Sequence, residues 1–206
     1  MIINSPNIRI ASVSGQHTVK KNNHHVEYVW IKNSEVSHLP RFDSPIFFAN
    51  MKKYLITNSG LKFIEREDFS PMSKLETLDL SNNLIEEIPE DTLFDLSELV
   101  DLFIENNKIK NLSGKLLSFA PEFQRLRASN NSLEILDSDF FSSNPSLKIV
   151  SLDNNKLHKI QVDFNPFGNL KKIDLLNNPC VNTNFNDWRK YKTVAIVQKE
   201  IESRCL

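Results

Sequence analysis

Cysteine and histidine are the side chains in this sequence with the widest chemical range, because they can act as nucleophiles, bases or metal ligands. The two cysteines, Cys180 and Cys205, lie near the C-terminal end, and no histidine shares with them a spacing that suggests four zinc ligands. The histidines are His17, His24, His25, His38 and His158. The nucleophile motif G-x-S-x-G, the zinc motif H-E-x-x-H and the phosphate motif G-x-x-x-x-G-K-[ST] are all missing. We therefore expect no catalytic, metal-binding or cofactor-binding residues, and a protein that is not an enzyme.

The overall composition gives no indication of a nucleic-acid or membrane partner. The chain has 206 residues and a net charge of −1 from 25 basic and 26 acidic residues, so its charge gives no reason to expect nucleic acid or anionic lipid as a partner. No apolar run approaches the roughly 18 residues that a membrane-spanning helix needs. Carboxylate pairs such as Glu86 with Glu87 are expected to lie on the solvated surface.

The most informative feature of the sequence is a repeat. The chain contains 24 leucines and 24 asparagines, which suggests a turn that recurs at intervals. One apolar position recurs at residues 29, 54, 78, 102, 126, 150 and 173, in steps of 23 to 25 residues. Around residue 78, the segment LETLDLSNNLI begins at Leu75 and has the form LxxLxLxxNxL. Its LxL part alternates as a short strand with one buried face does.

This pattern resembles that of leucine-rich repeat proteins, and the resemblance covers about three quarters of the chain. It implies an α/β fold, namely a leucine-rich repeat solenoid in the form of a curved right-handed horseshoe. A parallel β-sheet would line the concave side, irregular or short helical segments the convex side, and a cap would cover each end. We assign seven repeats to residues 26–179, an N-terminal cap to residues 1–25 and a C-terminal cap to residues 180–206.

Two sets of residues are expected inside the solenoid. The asparagine of each repeat can donate and accept hydrogen bonds at once, so it is expected to bond main-chain groups of its own and adjacent turns. Ser34 and Ser59 take this place in the first two repeats, and their shorter reach predicts weaker bonding there. Apolar residues at a constant offset are expected to form a buried spine on the convex side rather than a ligand site. They are Phe69, Leu93, Leu117, Phe141 and Phe164.

Both ends need a cap, because otherwise apolar surface and strand edges stay exposed. The N-terminal cap is predicted to contain a strand or hairpin. The residues that indicate it are Ile8, Ile10, Val13 and the Ser14-Gly15 pair. The C-terminal segment resembles a reduced version of the cysteine-containing caps of extracellular leucine-rich repeat proteins, which implies a disulfide between Cys180 and Cys205. The alternative is two buried free thiols in a cytosolic protein.

The outward-pointing side chains of the predicted sheet form the candidate site. Strand residues alternate between the two faces, so those between the inward positions are expected to point outward on the concave face. Aromatic and arginine side chains there are typical of protein-binding hot spots. The predicted partner-binding residues are Tyr28, Trp30, Leu55, Asp79, Asp101, Phe103, Glu105, Arg125 and Arg127. The alternative is that the charged residues pair with one another across neighbouring strands and only stabilise the sheet.

These features together indicate a non-enzymatic module that recognises a protein partner. The segments Ile-x-Asn-Ser at residues 31–34 and 56–59 resemble those of secreted leucine-rich repeat proteins of insects, which implies an extracellular location and a role in innate immunity or cell-surface adhesion. Residues 1–25 are too polar for a signal peptide, so we expect a mature form. Asn111 and Asn130 are candidate glycosylation sites. The alternatives are an intracellular scaffold or inhibitor with reduced cysteines, and a structural protein that self-associates; a homodimer or a heterodimer is compatible with this face.

Overall fold

A seven-stranded parallel sheet forms one wall of a solenoid. The computed structural model describes residues 9–10, 25–39, 41–42, 48–182 and 194–205. In chain order the strands are β1 (Arg9–Ile10), β2 (Tyr28–Lys32), β3 (Arg41–Phe42), β4 (Lys53–Thr57), β5 (Thr77–Asp79), β6 (Asp101–Phe103), β7 (Arg125–Arg127), β8 (Ile135–Leu136), β9 (Ile149–Ser151), β10 (Lys159–Ile160) and β11 (Lys172–Asp174). A 3-10 helix spans Arg66–Asp68, and the α-helix α1 spans Val194–Cys205.

The strands of the large sheet follow the periodic position in the sequence. Its order is β2, β4, β5, β6, β7, β9 and β11, and each of these strands holds one of the seven recurrent apolar residues. Those residues lie directly opposite one another, as Leu78 does with Leu102 and Leu126 with Val150. The repeat length therefore sets the register, because every turn of the chain returns to the same point of the neighbouring strand. The predicted parallel sheet is confirmed.

Asparagine turns end each strand of this sheet. The residue just before each recurrent asparagine or serine is itself an asparagine in the left-handed backbone region, with φ between 50° and 58°. These seven residues are Asn33, Asn58, Asn82, Asn106, Asn130, Asn154 and Asn177. Asparagine tolerates this conformation better than most residues. Half of the asparagines of the chain thus lie at two repeat positions, one that shapes the backbone and one that makes hydrogen bonds.

The second asparagine of each pair bonds buried main-chain groups, as predicted. Asn107 Nδ2 donates to the carbonyl oxygens of Leu80 (2.9 Å) and Ile104 (3.1 Å), and its Oδ1 accepts from the amide of Ile85 (3.0 Å). Asn83, Asn131, Asn155 and Asn178 make corresponding bonds. Each of these side chains therefore joins its own repeat to the preceding one.

Serine replaces that asparagine in the first two repeats, and the bonding there is weaker. Ser59 Oγ accepts from the amide of Ser34 at 3.4 Å and donates to the Thr57 carbonyl of its own turn (2.9 Å). The Ser59 side chain thus reaches the preceding repeat through a long bond that it accepts, whereas each asparagine described above both donates to that repeat and accepts from it. The predicted weakening follows from the shorter side chain.

The core is continuous from repeat to repeat. Leucine, isoleucine and valine at the inward positions are buried from the second repeat onward, whereas Val26 and Val29 of the first repeat are partly buried. The predicted outer spine is buried as well. Rings of this spine touch in the last repeats, where the centroids of Phe141 and Phe164 lie 6.5 Å apart. The spine is therefore core, and the alternative of an exposed aromatic ligand site on these residues does not hold.

The two ends differ in what the structure describes. Strand β1 pairs in parallel with β3, and the predicted turn at Ser14-Gly15, with Ile8 and Val13, lies outside the described residues. At the other end, α1 buries Val197 and Ile201 and contacts β10. The assignment of residues 1–25 and 180–206 as caps stays a prediction.

Polar contacts anchor this final helix. The side chain of Gln198, which is buried, accepts a hydrogen bond from the amide of Phe164 (2.9 Å). Cys180 and Cys205 are joined by a disulfide in the structure, with their Cα atoms 5.0 Å apart. The helix is thus fastened to the solenoid at its middle and at its C-terminal end.

Candidate functional site

The candidate site is the outward face of the seven-stranded sheet, which we call the concave face. Alternation along each strand turns one set of side chains into the core and leaves the other set on this face. In β6, Leu102 is fully buried whereas Phe103 is half-buried; in β2, Ile31 is buried whereas Trp30 is exposed. Eight of the nine predicted partner-binding residues have an exposed or half-buried side chain here; Asp101 differs.

An aromatic patch lies on the first two strands of the face. Tyr28 and Trp30 are 50% and 46% exposed, which is high for such large side chains. The indole nitrogen of Trp30 donates to Thr57 Oγ1 (2.9 Å), and Lys32 Nζ lies 4.2 Å from the centroid of the ring. Leu55 lies opposite Trp30 in the neighbouring strand. The indole is held in one orientation by these contacts and still presents apolar surface to solvent.

Asp101 is buried and paired on this face, unlike the other predicted partner-binding residues. The residue is 4% exposed, and its carboxylate accepts a bidentate hydrogen bond from the guanidinium of Arg125 on the next strand. Thr77 on the preceding strand also donates to it, at 3.4 Å. For Asp101 and Arg125, the structure thus shows the alternative interpretation, in which charged residues pair across strands and stabilise the sheet.

A groove of about 510 Å³ lies next to this pair. Phe103 forms part of its floor, and the guanidinium carbon of Arg127 lies 5.2 Å from the centroid of that ring. The carboxylates of Asp79 and Glu105 also line the groove, together with serine and asparagine side chains. The groove therefore combines one aromatic ring, one guanidinium and two carboxylates within a short stretch of the sheet.

Glu105 is electrostatically unfavourable in this setting. Burial raises the pKa of its carboxyl group, and the nearby carboxylates of Asp79 and Asp153 raise it further. A hydrogen bond from its own backbone amide and the charge of Arg127 act in the opposite direction without cancelling that rise in pKa. The folded protein thus keeps a partly desolvated carboxylate among like charges.

Sequence reasoning missed a second exposed aromatic feature on the outer side. Phe94 and Phe119 are 39% and 41% exposed, and their ring centroids lie 4.0 Å apart. Arg66 stacks on Phe94 at 4.2 Å and forms an ion pair with Asp95 (2.8 Å). These residues fall between the repeat positions, so the periodic pattern carried no signal for them.

The two candidate glycosylation sites lie on different surfaces. Asn130 is exposed at the rim of the groove that holds Phe103 and Glu105. Asn111 is exposed in another groove, of about 640 Å³, between neighbouring turns on the side of Glu86 and Glu87. A glycan on Asn130 would therefore restrict access to the concave face, whereas one on Asn111 would not.

Within the described ranges, no group of histidine, cysteine and acidic residues has the arrangement of a metal site. Within the same ranges, no helix has the length and apolar character that crossing a bilayer requires. The concave face offers the aromatic patch and the groove around Phe103 as surfaces for binding.

Comparisons with known proteins address the fold. The family described as "Leucine rich repeat" matches residues 49–116, and no curated protein matches the sequence. The leucine-rich repeat domain of APL1 is 21% identical with a TM-score of 0.69, over 84% of this chain and 46% of that one. A leucine-rich repeat protein of Leptospira interrogans is 23% identical with a TM-score of 0.63, over 73% of this chain and 37% of that one.

A third similar structure is TLR13 in a complex with ssRNA13, which is 23% identical with a TM-score of 0.64, over 74% of this chain and 22% of that one. This chain therefore spans less than half the length of each of these three structures. At such identities the likeness concerns the fold. The parallel sheet, the asparagine turns and these structural matches show that the chain has the leucine-rich repeat solenoid fold.

Proposed function

We propose that this protein is a non-enzymatic recognition module that binds a protein partner through its concave face. The observation that carries the proposal is the aromatic patch, where Tyr28 and Trp30 remain about half exposed on a regular sheet. Exposed tryptophan, tyrosine and arginine side chains are typical of binding hot spots. Leucine-rich repeat solenoids are commonly protein-interaction scaffolds, which supports the same assignment.

A capture experiment tests this function. The purified chain, immobilised, is exposed to the fluid or cell-surface extract in which it is produced, and bound proteins are identified by mass spectrometry. We expect Trp30→Ala with Phe103→Ala to weaken capture about tenfold or more, since truncation of hot-spot aromatics commonly costs over 2 kcal/mol. Both side chains are outside the fully buried core, so the variant should fold.

Two exposed phenylalanines on the outer side provide the matched control. Phe94→Ala with Phe119→Ala also removes two aromatic rings and should leave capture unchanged, because these rings lie away from the concave face. The proposal would be contradicted if Phe94→Ala with Phe119→Ala lost capture while Trp30→Ala with Phe103→Ala kept it. Sedimentation of the free chain tests self-association, which the same aromatic patch could also support.

We place this recognition outside the cell, in innate immunity or adhesion, as the resemblance to secreted insect proteins implies. The Cys180–Cys205 disulfide supports this location, because such bonds persist in oxidising compartments. Mass measurement of the native protein without reductant should show two hydrogens fewer than the free-thiol form. Intact thiols would favour the intracellular scaffold or inhibitor instead.

Nucleic acid is a poor candidate partner for this chain. The structurally similar TLR13 was solved with ssRNA13, yet RNA binding needs basic side chains that neutralise phosphates. Here the centre of the concave face carries Asp79, Glu105 and Asp153, and Arg125 is already paired with Asp101. The partner is therefore proposed to be a protein.

A further inference from the structure

The charges in the middle of the concave face are not balanced. Arg125 is paired with Asp101, and at the far edge Lys172 Nζ lies 3.5 Å from Asp174. After these pairs are set aside, the carboxylates of Asp79, Glu105 and Asp153 stand against one guanidinium, that of Arg127, over the strands from β5 to β9. The other cations of the face, Lys32 and Lys53, lie on β2 and β4.

The hydrogen bonds of these carboxylates do not supply the missing positive charge. Asp79 Oδ1 accepts from the backbone amide of Ser81 (2.9 Å). Asp153 accepts from the hydroxyl of Ser129 and from Asn154 Nδ2 (2.8 Å). All three donors are neutral, so the groove keeps an excess of negative charge that a cation would offset.

The aromatic ring beside these carboxylates suits a cationic side chain. Arg127 shows this directly, because its guanidinium lies over the Phe103 ring. Asp79 is the register partner of Phe103 on the opposite side, in β5. A guanidinium or ammonium group entering from solvent would therefore find a carboxylate and an aromatic ring next to each other.

We propose that this groove receives an arginine or lysine side chain of the protein partner, held by Asp79 and Glu105 against Phe103. The inference rests on the proposed function and adds the chemistry of the partner. The aromatic patch of Trp30 lies on the same face, two strands from β5, so the partner would present an apolar group beside its basic one. Charge complementarity of this kind sets orientation and specificity as well as affinity.

Fluorescence anisotropy with defined peptides tests the inference on the full chain. The probes are a fluorescein-labelled peptide of alternating glycine and arginine and a peptide of equal length in which glutamate replaces arginine. We expect the arginine peptide to bind the wild-type chain. The double variant Asp79→Asn with Glu105→Gln should bind this peptide about tenfold or more weakly. The amide introduced by Asp79→Asn keeps an oxygen for the Ser81 amide, and circular dichroism and the thermal midpoint confirm that the variant is folded.

The control variant removes the same number of charges elsewhere. Glu86→Gln with Glu87→Gln changes two exposed carboxylates outside the concave face and should alter binding less than about twofold. Equal weakening in both variants, no binding of the arginine peptide, or equal binding of the glutamate peptide would each overturn the inference.

Two outcomes separate this inference from the proposed function. In the first outcome, Trp30→Ala with Phe103→Ala abolishes capture of the partner, whereas Asp79→Asn with Glu105→Gln does not. The concave face then binds its partner without an arginine or lysine side chain in the groove. The proposed function then stands and the inference fails. In the second outcome, the wild-type chain forms a dimer and the variant Asp79→Asn with Glu105→Gln is a monomer. The groove would then be filled by a second copy of this chain, which also overturns the inference.

Discussion

Consecutive asparagines in each repeat have different physical roles. Asn130 adopts a φ of 56°, which few other residues tolerate, and its exposed side chain lies at the rim of the concave face. Asn131 points inward, donates from Nδ2 to the carbonyls of Ile104 and Ala128, and accepts from the amide of Ile109. One residue thus shapes the turn, and its neighbour satisfies buried backbone groups of two repeats.

Replacement of the inward asparagine should therefore be costly. We expect Asn131→Ala to lower the free energy of unfolding by about 1–3 kcal/mol, because it leaves buried main-chain groups without partners. Chemical denaturation measures this change. Ser59→Ala is the matched comparison in the same structural position and should cost less, since Ser59 accepts from the preceding repeat through a bond of 3.4 Å. An equal cost in both variants would contradict the assigned hydrogen bonds.

Glu105 should reduce stability at neutral pH. Burial and the neighbouring Asp79 and Asp153 raise the pKa of its carboxyl group in the folded state above the ordinary value of 4.5, so folding favours the protonated form. Protonated Glu105 makes its full contribution to folding stability below pH 4.5. This contribution is lost as the pH rises through the raised pKa of the folded state.

Glu105→Gln should accordingly be more stable than the wild type at pH 7, and the difference should shrink as the pH falls toward 4. Urea unfolding at several pH values measures it. A variant that is less stable at pH 7 would show that attraction to Arg127 outweighs the loss of hydration.

At the scale of elements, the strands of the large sheet and the C-terminal helix are stabilised differently. A strand of three residues such as β7 is too short to be stable alone and gains its stability from the neighbours on both sides. At the C-terminal end, α1 buries Val197 and Ile201 and contacts β10. The disulfide closes a segment with a sequence separation of 25 residues between Cys180 and Cys205.

Reduction should therefore destabilise the C-terminal end. In the chain-entropy description, opening a loop of this size lowers the free energy of unfolding by about 3 kcal/mol. Chemical denaturation with and without reductant measures the difference. The double variant Cys180→Ser with Cys205→Ser should behave as the reduced wild type does and should not respond to reductant. Identical stability of oxidised and reduced wild type would contradict the stated role of the disulfide.

At the scale of the whole molecule, the concave face differs from one end of the sheet to the other, because successive strands carry different kinds of side chain. The aromatic patch occupies β2 and β4, and the groove around Phe103 spans β5, β6 and β7. The paired charges of Asp101 and Arg125 lie across β6 and β7. The net charge of −1 for the chain does not indicate this separation of aromatic, acidic and paired side chains. A partner that matched both parts would bind in one orientation, which is how a repetitive scaffold becomes specific.

Much of this architecture is determined by the sequence itself. The period of 23 to 25 residues placed the strands, their register and the buried residues, because each repeat must hide its apolar side chains against the next one. Alternation within LxL then decided which residues point outward. These are local or periodic properties, so Leu102 could be predicted as buried and Phe103 as outward without coordinates.

Only the tertiary structure decided how outward side chains meet across strands. Asp101 and Arg125 are 24 residues apart, and whether they pair or remain free depends on side-chain rotamers and on the exact lateral position of β6 against β7. The same holds for the contact between the rings of Phe94 and Phe119 and for the groove around Phe103. A period specifies which residues share a face, but distances between their side chains arise only when the turns are packed together.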